Sequence, residues 1–161
     1  MSQAVRERVR GPCAFPVGLF FAPRRSRGLK GLRCNMDLIF VGVDPGQSGG
    51  LAFLNDAGAV LQALPLPLIG KELDIARVTL LVDLHGGDRS KLRVAIERVH
   101  SMPKQGVASS FRFGYLYGCI TGAFQALGCS VQHITPQMWK KRVLHGTEKD
   151  KAAALAYCSS R

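Results

Sequence analysis

From Met36 onward, apolar residues fall into blocks whose period alternates between that of a strand and that of a helix. Leu38-Ile39-Phe40-Val41-Gly42-Val43 is a continuous apolar run rich in strand formers, which predicts a central strand buried on both faces. Gly49 to Leu54, the turn Asn55-Asp56-Ala57-Gly58 and Ala59 to Leu64 then predict an antiparallel hairpin. Leu73, Ala76, Leu80 and Leu84 at helical spacing predict a helix from about Glu72 to Leu84, stopped by Gly86-Gly87. Leu92, Val94 and Ile96 alternate with Arg93, Ala95 and Glu97 in a fourth strand. A longer helix follows from about Ser109 to Leu127. Its Gly114, Gly118 and Gly122 recur every four residues, so one nearly bare face is expected to approach a neighbouring backbone closely. Ser130 to Ile134 predicts a fifth strand. Thr135 and Pro136 suit the N-cap and first position of a short helix through Trp139 and Lys140, and Glu148 to Cys158 predicts a last helix. Three strands followed by βαβ units predict an α/β fold with a mixed five-stranded sheet flanked by helices.

The first 35 residues break this order. They contain Pro12, Pro16 and Pro23, scattered glycines and no sustained period, and are expected to lie outside the folded domain, residues 36–161. Eight basic residues against one acidic give this segment +7 of the chain's net +11. Three readings compete for it: a basic tail that binds nucleic acid, an Arg-rich targeting peptide, and sequence translated upstream of a true start at Met36. The remaining +4 still favours a polyanionic partner. At 161 residues and 47% hydrophobic, one compact core is expected. Five cysteines without a Cys-x-x-Cys pair point away from a disulfide framework or a zinc site and towards a reducing cytoplasm. The uncharged stretch Phe113 to Leu127 is shorter than the roughly 20 residues a bilayer requires, so a buried helix and no membrane partner are expected.

The chemistry concentrates at two strand ends. Asp44 closes the first buried strand, and Pro45-Gly46 turns the chain away, so its carboxylate sits on a rigid element with little beside it to block a ligand. The plainer reading is an aspartate that starts a turn. Glu97 ends the fourth strand on the face opposite Leu92, Val94 and Ile96, where an unpaired buried charge is costly. It needs a metal, or an ion pair with Arg98 or Arg93. If strands one and four are neighbours, Asp44 and Glu97 meet at one edge of the sheet, and two hard oxygen ligands there suit Mg²⁺ or Mn²⁺.

These segments carry a family resemblance. Residues 38–54 resemble the first strand, Asp-Pro-Gly turn and second strand of RuvC-like Holliday junction resolvases, and Ala95-Ile96-Glu97 resembles their second acidic motif. Gly114 to Gly118, Thr135-Pro136-x-x-Trp139-Lys140 and Asp150-Lys151 match further family segments in order, so the resemblance spans about residues 36–158. It implies an RNase H-like fold and a metal-dependent endonuclease that cleaves branched DNA during recombination and repair. Asp44 and Glu97 are then the catalytic metal ligands, with Asp44 bridging two Mg²⁺ ions, for which Mn²⁺ can substitute, and the protein is a homodimer. In the family one or two aspartates on a final helix complete the site. This sequence stops at Arg161, ahead of such a helix, and Asp150 marks the helix before it, so a poorly cleaving chain is expected.

Other motifs carry less. Gly46 to Gly50 superficially resembles a trypsin-like nucleophile motif but lacks the aspartate before the serine, and none of the histidines argues a triad. No phosphate loop or dinucleotide fingerprint is present. A kinase of the actin-like superfamily also starts with a strand ending in Asp-x-Gly but needs a second domain. Lys140, Lys141 and Arg142 after Trp139, and Lys104 with Gln105 after Glu97, are candidate DNA contacts through phosphate; a solvated basic face is the competing reading of the Lys140 cluster. Ser101-Met102-Pro103 is expected to form a loop beside Glu97 that could approach the substrate, though nothing in the sequence fixes it there. Trp139 reads as a core anchor rather than a platform for base stacking. Two functions therefore compete: a Mg²⁺-dependent structure-selective endonuclease, and a catalytically silent nucleic-acid-binding protein that keeps the fold with an incomplete metal site.

Overall fold

The computed structural model describes residues 38–98, 106–146, 148 and 151–159. The basic segment 1–35, the loop Ser101 to Pro103 with Lys104 and Gln105, and Asp150 lie outside the described residues. Strands β1 (Ile39–Asp44), β2 (Gly50–Leu54) and β3 (Val60–Pro65) open the domain. The minimal strands β4 (Leu68–Ile69) and β5 (Glu72–Leu73), helix α1 (Ile75–Gly86), a single 3₁₀ turn and β6 (Leu92–Glu97) follow. Helix α2 (Val107–Ala126), β7 (Ser130–Ile134), α3 (Pro136–Val143) and α4 (Lys151–Ser159) complete the order.

The main sheet runs β3-β2-β1-β6-β7, with β1 antiparallel to β2, β2 antiparallel to β3, and β1, β6 and β7 mutually parallel. This is the mixed five-stranded RNase H-like α/β topology that the sequence predicts. β1 is central, in keeping with its unbroken apolar run. Because side chains alternate across a strand, Val41, Val43, Val94 and Ile96 pack on one face with α1 and α2, around Phe53, Leu116, Ile120 and Phe124. Phe40, Ala52 and Ala95 lie on the other face, covered by Trp139 and Leu144 and by Ala153, Ala154 and Tyr157 of α4.

Two sequence readings change. Leu73 belongs to β5 rather than to a helix, and α1 starts after Asp74, whose side chain accepts a hydrogen bond from Arg77 N at 2.9 Å. Its buried stripe is Val78, Leu81, Val82 and Gly86, whereas Leu80 and Leu84 are 60% and 73% exposed. Both stripes have helical spacing, and only the distribution of neighbours selects between them. Among the described residues, nothing lies within 4 Å of where a Cβ would stand at Gly114, Gly118 or Gly122, so the bare face of α2 is open rather than packed.

Candidate functional site

The parallel register pairs Val43 with Ile96, one residue before each strand ends. Asp44 and Glu97 therefore come side by side at the carboxyl edge of the sheet. Both follow the parity of Phe40, Gly42 and Ala95, so both carboxylates stand on the face covered by α3 and α4. The conditional meeting of these two residues is realised because β6 pairs directly with β1.

The turn after β1 holds Asp44 from both sides. Gly46 N donates to Asp44 Oδ1 at 3.1 Å, and Gly49 N donates to Gly46 O at 2.9 Å. A Cβ on Gly49 would overlap the Asp44 carbonyl oxygen and lie 2.9 Å from its side-chain Cγ. Glycine is thus required at 49 by close approach to Asp44. Phe113 of α2 comes within 4.0 Å of a Cβ placed on Gly46, closing the turn from the opposite layer.

Glu97 is half-buried, and Trp139 Nε1 donates to its Oε1 at 2.9 Å. Burial pushes its carboxyl above the usual range, and the charge of Asp44 pushes the same way; the Trp139 hydrogen bond and the Lys140 ammonium oppose them. Neither arginine named as a partner takes that role. Arg93 donates to the carbonyls of Ser90 and Leu92, at 2.6 and 3.1 Å. The Arg98 side chain acts electrostatically on Tyr117, whose hydroxyl is 2.7 Å from His133 Nδ1 on the α2 side of the sheet.

Helix α3 is built for this position. Thr135 Oγ1 accepts from Met138 N at 3.3 Å as its N-cap, and Pro136 occupies the first turn. One side buries Trp139, which confirms it as a core anchor; Lys141 lies on the opposite side, and both Lys141 and Arg142 are exposed. Lys140 Nζ lies 5.7 Å from the centre of the Trp139 ring, within cation–π range. The candidate basic residues of α3 therefore stand on the helix that carries Glu97's hydrogen-bond partner. Sequence reasoning missed the Glu97–Trp139 bond, since 42 residues separate the two and an indole in a core position carries no signal of its partner.

The donor chemistry suits a hard divalent cation. Each carboxylate has one oxygen held by an N–H group, so it is the second oxygen of each that could take a cation. Two carboxylates completed by water and phosphate oxygens are an ordinary protein share of a Mg²⁺ site. Among the described residues, no group of three or more His, Cys, Asp and Glu side chains is placed to hold a metal ion. No described helix is long and apolar enough to cross a membrane.

Neither a protein-family model nor a curated relative matches the sequence. Solved structures do match in architecture. Thermus thermophilus RuvC aligns with a TM-score of 0.50 and 19% identity, covering 72% of this chain and 75% of that one. T. thermophilus RuvC in complex with a Holliday junction substrate aligns with a TM-score of 0.46 and 16% identity, over 76% of this chain and 92% of that one. At such identities the likeness concerns the fold, and the chain shares with RuvC the RNase H-like architecture, as a distant structural relative.

Proposed function

We propose that the chain is a nucleic-acid-binding protein of RNase H-like fold that presents a two-carboxylate cation site, Asp44 with Glu97, to the backbone of branched DNA, and that it cleaves that backbone slowly or not at all. The observation that carries the reading is the meeting of these carboxylates on neighbouring parallel strand ends, beside a helix bearing Lys140, Lys141 and Arg142. Burial of Glu97 and the charge of Asp44 favour arrival of a cation, because the ion relieves both costs at once. Bound there, Mg²⁺ or Mn²⁺ would neutralise and polarise a phosphate oxygen. The basic side chains of α3 would hold the backbone through its phosphates and fix its register without reading sequence. Branched DNA as the preferred form follows from the ordered motif resemblance of residues 36–158.

A second reading, a junction-cleaving endonuclease of recombination and repair, is favoured by the same pair and limited by its size. Two carboxylates compensate one divalent ion, and a second metal would bind weakly without further ligands. The two readings separate on a labelled four-way junction. We expect the junction to be retained more tightly than a duplex of equal length, with Mg²⁺ strengthening retention and little nicking. Failure to bind either DNA contradicts the proposal. Rapid Mg²⁺-dependent nicking abolished by Asp44→Asn establishes the endonuclease instead.

A further inference from the structure

We infer that Trp139 is a positioning residue of the cation site, whose indole N–H orients the Glu97 carboxylate towards Asp44; this rests on the reading that Asp44 and Glu97 share a cation. A strand-end glutamate has several rotamers, and nothing in β6 itself selects the one that meets Asp44. Trp139 supplies the selection. Its ring is only 9% exposed and packs with Phe40, Ala95, Ile134 and Leu144, so the position of Nε1 is fixed by the core. From there it donates to Oε1 at 2.9 Å, occupying that oxygen and leaving Oε2 as the ligand atom.

The donor also suits the charge state. An indole N–H can only donate, so it bonds the ionised form of Glu97 without competing for the cation as a lysine would. It opposes the effect of burial on the carboxyl. An outer partner that orients a metal-binding carboxylate commonly contributes 10–100-fold to metal affinity. Because α3 also carries Lys140, Lys141 and Arg142, the bond ties the helix proposed to meet phosphate to the carboxylate proposed to meet metal.

Trp139 is the sole tryptophan of the chain, so the indole N–H gives one NMR signal. We expect that signal to exchange slowly with water in the full chain and to shift, with faster exchange, in Glu97→Ala. An indole signal that ignores Glu97→Ala overturns the inference whether or not metal binds. Mn²⁺ affinity, followed by electron paramagnetic resonance, is the second readout. Trp139→Phe, which keeps a ring but loses the donor, is expected to weaken Mn²⁺ binding by at least about tenfold. Val82→Ala opens a cavity in the cluster on the opposite face of the sheet and should lower the melting temperature while leaving Mn²⁺ affinity within about twofold. Equal Mn²⁺ affinity in wild type and Trp139→Phe shows that Trp139 only packs. If Asp44→Asn leaves Mn²⁺ binding unchanged, the shared site itself is wrong and the inference falls with it; the indole signal distinguishes this from loss of the hydrogen bond alone.

Discussion

Glu97 gives up some stability to stand where it does, and Gly49 is confined to glycine by its close approach to Asp44. Burial and the Asp44 charge raise the Glu97 carboxyl pKa above that of the unfolded chain. The folded state then binds more protons than the unfolded state above about pH 4, and stability falls as pH rises through the raised value. Glu97→Gln keeps an oxygen for Trp139 and removes the charge. It is expected to raise the melting temperature at pH 7 by on the order of 2 °C, with the gain vanishing near pH 4, where both states are protonated. A thermal melt at both pH values checks this. Gly49→Ala is expected to cost about 1–3 kcal/mol, because its Cβ displaces the backbone of Asp44. Denaturant unfolding measures that loss. Both carboxylates could be singled out in the sequence, since each ends an apolar strand. The need for glycine at 49 could not, because it depends on how the turn folds back over Asp44.

Among elements, α3 has the two-sided character that the site requires, with Trp139 inward and Lys141 outward. Its start was legible from Thr135-Pro136, because capping is a local property; what Trp139 touches was not. If α3 meets phosphate, Lys140→Ala with Lys141→Ala should weaken four-way junction binding and reduce the slope of log affinity against log salt by about two. An unchanged slope would mean that the α3 lysines form only a solvated face. Helix α1 offers a contrast. Its last turn is fixed by His85, which stacks on Phe53 at 4.5 Å and lies 2.7 Å from Gln62 Oε1 of β3. Burial lowers the His85 pKa, so the unfolded chain takes up a proton first as pH falls below about 6.5. Stability should therefore decline with acidification from that point, and His85→Gln should flatten the decline in a series of melts between pH 7.5 and 5.5. The inward stripe of α1 holds Val78 and Val82, although Leu80 and Leu84 share their spacing. Periodicity identifies a helix but leaves the choice of face to tertiary neighbours.

For the whole molecule, the alternation of strand and helix periods carried enough information for a mixed five-stranded sheet to be anticipated, while the pairing of the first and fourth predicted strands stayed a condition. β1 is continuously apolar because it lies mid-sheet, and β6 pairs with it in parallel through a crossover that α1 completes. β4 and β5 escaped notice because two-residue strands have no period. The net charge was a weaker guide, since most of it belongs to residues 1–35. Function turns on whether the carboxyl edge of this sheet holds a cation between Asp44 and Glu97. The direct measurement is anomalous X-ray scattering from crystals of the protein grown with Mn²⁺. We predict one manganese peak within coordination distance of an oxygen from each carboxylate, absent from Asp44→Asn crystals. A manganese-free edge in crystals that bind the ion elsewhere, or a peak that persists in Asp44→Asn, would contradict the account.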